Sequence, residues 1–155
     1  MDLSKLLQIT KDGEKWEQIP NYPKYYVSSE GRIYSEFEHD IIKGSWNKKG
    51  YHYFELFNDE TPKGKHGDRI RLSHIVAAVF CKNYSKDKHI HHINRNRGDD
   101  RAINLLPVTR EQHQAIHALY DRLFDNIPLL AELLQPVIHC NINLLFNDME
   151  GGDVA

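Results

Sequence analysis

Residues 89–117 hold five of the ten histidines of a 155-residue chain, and their spacing narrows the choice of fold more than any other feature. His89, Ile90, His91 and His92 form a short β-compatible run. A connection rich in Gly, Asp and Asn follows, Asn104-Leu105-Leu106 can return as a second strand, and Thr109 opens a helix. Thr109 and Gln112 have the spacing of a capping box, which fixes the helix start and puts His113 in the first turn. At about 100° per residue, His113, Ile116, His117 and Tyr120 share one face, beside an apolar stripe of Ile116, Leu119 and Leu123. In the order strand, loop, strand, helix, both helix histidines can look inward to the hairpin.

Such a cluster suits phosphodiester hydrolysis, which needs an activated water, neutralised phosphate charge and a stabilised leaving oxygen. A neutral imidazole titrates near pH ~6.5 and can take the water proton. A divalent cation held by few protein ligands keeps positions for phosphate oxygens and can stabilise the developing alkoxide. His91 and His92 are adjacent, and on a regular strand they would face opposite sides. The strand must twist or bulge for both to serve one site. The pair His113 and His117 at i, i+4 equally allows a structural zinc site, and a solvated histidine patch is the plain alternative.

Taken together, His92-Ile93-Asn94-Arg95-Asn96, Asp99-Asp100, Asn104-Leu105 and Thr109-Arg110-Glu111-Gln112-His113 resemble the HNH nuclease motif, the ββα-metal finger, of phage and intron homing endonucleases. The resemblance implies that His92 is the general base, that Asn104 braces the finger and orients the base, and that His91 and His113 are metal ligands. His117 stands as an alternative ligand or a phosphate contact. The implied cofactor is a divalent ion, magnesium first, with manganese or zinc as alternatives. Asn94 stands where the family often has Asp, and Arg95 where it often has Gly. Both departures fall on the local turn. A second match lies upstream, where Trp16, Ile19-Pro20, Tyr25-Tyr26-Val27-Ser28 and Gly31-Arg32-Ile33 are similar to a short module that precedes the motif in many homing nucleases. Trp16, Tyr26 and Ile33 also read as core residues of a small sheet.

Net charge is only −2, which alone argues against a nucleic-acid partner, but its distribution argues for one. Residues 41–109 carry thirteen basic against seven acidic side chains, whereas both flanking segments are net acidic. The positive charge therefore surrounds the histidine cluster, where phosphates would lie. Lys88, Arg95, Arg97 and Arg101 are the candidate DNA contacts. Cys81 and Cys140 are far apart and outside any Cys-x-x-Cys pattern, which excludes a zinc ribbon and a disulfide framework. A basic start followed by an apolar run is absent, and so is any stretch of about 18 apolar residues. The expectation is a protein with no membrane partner, acting in the cytoplasm, with a phage-infected bacterium as a natural setting.

Along the chain, Met1–Leu7 reads as a short helix or a loose terminus and Lys11-Asp12-Gly13 as a turn. Two β-prone runs flank a Ser-Ser-Glu-Gly turn at 28–31. Tyr51–Phe57 reads as a strand joined through a polar connection to a second over Arg69–Leu72, and Ser73–Phe80 as a helix that packs on the core. The last helix should run from Arg110 to about Phe124. Beyond it a leucine-rich helical segment, broken at Pro136, should cover the core or form a self-association surface, and the end should be disordered.

These features predict an α+β fold: a small N-terminal antiparallel β module (1–60), a ββα-metal nuclease core (61–124), and C-terminal helices with a tail (125–155). The function they imply is metal-dependent DNA endonuclease activity of the HNH homing type, as a nuclease or nickase. The competing reading is a non-catalytic zinc- or DNA-binding module, such as a phage packaging or regulatory partner. A binding module needs no general base, so the complete set His91, His92, Asn104 and His113 separates the two.

Overall fold

The computed structural model describes residues 6, 8–62 and 64–124 of the chain. The expected helix or loose terminus at Met1–Leu7 lies almost wholly outside them. So do the leucine-rich segment, the self-association surface and the tail expected over 125–155. The fold is α+β, and the chain clusters into two compact units, Met1–Pro107 and Val108–Ala155.

The first unit begins with a four-stranded antiparallel sheet, β1 (Trp16–Ile19), β2 (Tyr22–Ser28), β3 (Ile33–Ser35) and β4 (Asp40–Ile42), in sequential order. Asn21 makes the first hairpin turn at a positive φ of 67°, a conformation that asparagine tolerates better than most residues. The Ser-Ser-Glu-Gly turn forms as expected between β2 and β3. The Ser28 Oγ accepts the backbone N–H groups of Glu30 and Arg32 at 3.2 and 3.0 Å. One expectation is corrected here. Tyr25 and Val27, not Tyr26, belong to the core, because alternation along β2 turns those two side chains inward and leaves Tyr26 half-buried. Trp16 is also only half-buried, with the Arg32 guanidinium 5.2 Å from its ring.

A three-stranded antiparallel sheet follows, with β6 (His52–Leu56) between β5 (Ser45–Trp46) and β7 (Asp68–Arg71). The β6–β7 pair matches the expected strands within a residue or two. The short strands β4 and β5 have too few residues for an alternating pattern and were not foreseen. Helix α1 (Leu72–Phe80) then buries Leu72, Ile75 and Val76, positions spaced to share one helical face, and Ala77 beyond it.

The hairpin of β8 (His89–His92) and β9 (Leu105–Val108) follows, and the first unit ends within β9 at Pro107. One buried cluster joins all these parts: Tyr25, Val27 and Ile33 from the first sheet, Phe54 and Leu56 from the second, Leu72, Ile75 and Val76 from α1, and Ile90 and Leu105 from the hairpin. Fully burying side chains of this size is worth about 1.5–3 kcal/mol each, so the upstream module and the hairpin share one hydrophobic core.

Asn104 was expected to begin the second strand. It closes instead a 3-10 turn over Ala102–Asn104, and β9 starts at Leu105. The reason lies in its side chain, which is committed to the preceding loop as described below.

The second unit opens with α2 (Arg110–Phe124). Its start is the expected capping box. The Thr109 N–H donates to Gln112 Oε1 at 2.8 Å, and the Gln112 N–H donates to Thr109 Oγ1 at 3.2 Å. Ile116 and Tyr120 are buried, with His113 and His117 half-buried on the same face. Leu119 departs from the expected apolar stripe and is 44% exposed. It sits about 60° from Ile116 and about 100° from Tyr120 around the helix, at the edge of the face that they define.

Candidate active site

Strand β8 carries Ile90, His91 and His92 buried in succession, at 7%, 3% and 6% exposure. A regular two-sided strand would not bury three adjacent side chains. The loop that follows supplies the explanation for His92. Its Nε2 lies 2.9 Å from Oδ1 of Asp100, and both side chains are nearly inaccessible. Tyr51, just before β6, lies beside the same imidazole, with ring centroids 6.2 Å apart.

Asn104 organises that loop. Its Oδ1 accepts the backbone N–H of Asn94 at 2.9 Å, its Nδ2 donates to the Asp99 carbonyl at 2.7 Å and to Asn94 Oδ1 at 3.0 Å, and its own carbonyl accepts the Ile93 N–H at 2.9 Å. One buried side chain thus ties both ends of the 94–99 loop together. Asn94 extends the bracing, accepting the Asn96 N–H and donating to Asp99 Oδ2. Arg95 adopts φ of +62°. This left-handed backbone is one that glycine adopts freely and arginine only at a steric cost. Arg101 is turned onto Asp99, with two nitrogens 2.7 Å from its carboxylate oxygens. Those hydrogen bonds hold the Asp99 carboxyl below its usual range and raise the guanidinium in turn.

A basic and aromatic surface flanks the loop. The Arg71 guanidinium lies 4.1 Å from the Tyr51 ring and that of Arg97 lies 5.3 Å from it, while Arg69 stands 4.5 Å from Tyr53. Trp46, 58% exposed, stacks on His52 at 4.2 Å with nearly parallel rings. It also comes so close to the loop that a Cβ on Gly98 would stand 3.0 Å from its ring. Trp46, Lys49, Gly50, Arg95, Asn96, Arg97 and Gly98 line an open groove of about 630 Å³. Burial pushes the His52 imidazole down against the opposing charge of Asp100, and burial together with Arg71 does the same to His74. The neutral forms of His52 and His74 are thereby favoured.

The remaining candidates separate by unit. His113 and His117 lie one turn apart on α2 with ring centroids at 4.6 Å in an edge-to-face arrangement, close enough for the two imidazoles to hold one ion. Lys88 is half-buried at the approach to β8, where its N–H closes a turn on Ser85. The sequence reading did not single out Asp100, Trp46, Tyr51 or Arg71 as site residues. A signal existed for Arg71, since Arg69 and Arg71 alternate with other residues along β7. The register that sets Arg71 against Tyr53 was needed to see it.

Comparison with known proteins gives the same direction. Residues 14–57 match the NUMOD4 motif. An uncharacterized HNH endonuclease of Acanthamoeba polyphaga mimivirus is 31% identical over 138 residues, covering 86% of this chain and 32% of that protein. The H-N-H endonuclease F-TflII of Escherichia phage T5 is 25% identical over 103 residues, covering 65% of this chain and 51% of that one. The chain thus spans about a third to a half of the length of these relatives. Among solved structures, one of DNA binding and cleavage by the HNH homing endonuclease I-HmuI superposes with a TM-score of 0.59 at 26% identity, covering 78% of this chain and 66% of that one.

Proposed function

From a chain that is of the HNH homing endonuclease type in sequence and fold, we propose a DNA endonuclease that hydrolyses phosphodiester bonds with a divalent metal ion. The observation that carries this reading is that His92 and two guanidinium groups gather about one ring, that of Tyr51. Arg71 and Arg97 both lie against Tyr51, whose ring faces the His92 imidazole. A base and cations able to neutralise a phosphate thus share a common neighbour, which suits attack on phosphorus.

In this mechanism His92 takes a proton from water, the water oxygen bonds to phosphorus, and the bond from phosphorus to the leaving oxygen breaks. Asn104 keeps the loop in the shape that positions the base. Arg97, with Lys49 and Arg95 along the groove, holds the DNA backbone, and Trp46 offers an exposed ring on which a base or sugar can rest. His91 and His113 are the proposed metal ligands, with His117 as the alternative on the same helix face. A bound divalent ion would supply Lewis-acid stabilisation of the leaving oxygen. The donors are imidazole nitrogens, which suit manganese or zinc better than magnesium, an ion that prefers oxygen ligands. The place of action that accompanies this function is the cytoplasm.

The test is incubation of supercoiled plasmid with the protein and magnesium, manganese or zinc, against a chelator. The account expects nicked or linear product with at least one of these ions and none with chelator. Intact plasmid under every metal would refute it.

A further inference from the structure

Asp100 is a buried carboxylate that the mechanism above does not use. Its side chain is 2% exposed, and among the described residues its Oδ2 has no hydrogen-bond partner, so its hydrogen bonding is spent on His92 through Oδ1. Burying an acid in this way is costly unless it is paired, and an ionised carboxylate can only accept. The contact therefore selects the imidazole tautomer with its proton on Nε2 and leaves the lone pair on Nδ1.

The loop that carries Asp100 does not stand alone. The Ala102 N–H donates to the Ser29 carbonyl at 2.8 Å, which ties the loop to the β2–β3 turn of the upstream module. Gly31 in that turn has φ of +72°, and a Cβ there would stand 3.0 Å from the Asp100 carbonyl oxygen. Glycine at 31 thus serves both the turn and the close approach. Ser29 and Gly31 lie within residues 14–57, the stretch that matches the NUMOD4 motif.

We propose that Asp100 is the positioning residue for His92, fixing the Nε2–H tautomer so that Nδ1 accepts the water proton, and that the β2–β3 turn holds Asp100 in place. This rests on the nuclease reading for its catalytic meaning. It gives the upstream module a part in catalysis, because the module's turn shapes the loop that orients the base. The proton balance is simple: Nε2 keeps its proton in the hydrogen bond to Asp100 throughout, and Nδ1 gains the one lost by water.

The test uses the full chain and two readouts. Ring 15N shifts, at about pH 8 where an ordinary imidazole is neutral, report which nitrogen of His92 carries the proton, with His92→Gln identifying the signal. Asp100→Asn keeps the shape but allows donation as well as acceptance. The expected result is an Nε2–H tautomer in the wild type and an Nδ1–H population in the variant. Alongside it, kcat for plasmid cleavage should fall by at least tenfold, within the roughly 10²–10⁴-fold a general base contributes, while DNA affinity stays within about twofold. Gly31→Ala should move the same two readouts in the same direction. An Nδ1–H tautomer in the wild type, or an Asp100→Asn variant with unchanged tautomer and rate, would overturn the role of Asp100. A Gly31→Ala variant unchanged in both would overturn that of the turn. The tautomer measurement needs no cleavage, so a wild type that holds the Nε2–H form yet cuts no DNA would count against the nuclease reading alone.

Discussion

Arg101 closes on Asp99 through two hydrogen bonds of 2.7 Å, whereas Arg97, four residues earlier, lies over the Tyr51 ring beside the groove. Both arginines are candidates in the sequence, Arg101 the weaker of the two, and they are unequal in place. Each phosphate neutralised on duplex DNA contributes about −0.9 to the slope of log K against log salt. Arg97→Ala should therefore weaken binding to all sequences alike and lessen the slope by roughly one unit. Arg101→Ala should change it by well under half a unit, because its charge is already matched. Affinities measured at several salt concentrations decide the matter, and equal slopes for the two variants would contradict the assignment.

The metal ligands can be ranked on α2. His113→Ala should weaken binding of zinc or manganese by about tenfold or more, and His117→Ala by less. Calorimetric titration of each variant, with magnesium as a comparison, measures both the order of the residues and the preference of nitrogen donors for the softer ions. The reverse order would move the ligand one turn along the helix.

Acid should loosen the upstream module. The Glu14 carboxylate accepts from Arg32 Nε at 2.8 Å, a second Arg32 nitrogen reaches its other oxygen, and the Lys11 N–H adds a bond at 2.9 Å. Burial alone would raise this carboxyl, but the hydrogen bonds from Arg32 and Lys11 outweigh it and hold it below its ordinary value of 4.5. A carboxyl depressed in the folded state stabilises fully above its unfolded value, and that stability is lost as pH falls through the folded one. Melting temperatures of the wild type should thus drop more steeply than those of Glu14→Gln between about pH 5 and pH 3. Parallel curves would show that the pair contributes nothing.

Much of the site was legible where local spacing decides structure. The capping box at Thr109 and Gln112 is a local pattern, and it formed as read. Tyr25 and Tyr26 show the limit of that method, since either could face inward until pairing sets the parity of β2. Asn104 shows another, for its neighbours Leu105 and Leu106 suggest a strand while its amide is drawn into the loop. Asp100 was in view as one of two adjacent aspartates, yet nothing in the chain order says which of them reaches His92. That depends on how the loop closes and on the turn at Gly31 pressing against it. The Arg71 and Tyr51 contact joins strand β7 to the residue just before β6, and only the folded sheet brings them together.

The central claim, that His92 is the base of a DNA endonuclease, is tested most directly by His92→Ala under single-turnover conditions with the metal that supports wild-type cleavage. A general base contributes roughly 10²–10⁴-fold, so the cleavage rate should fall by at least about a hundredfold. DNA affinity should stay near the wild-type value, because no bulk charge is removed. Cleavage at the wild-type rate in this variant would contradict the account.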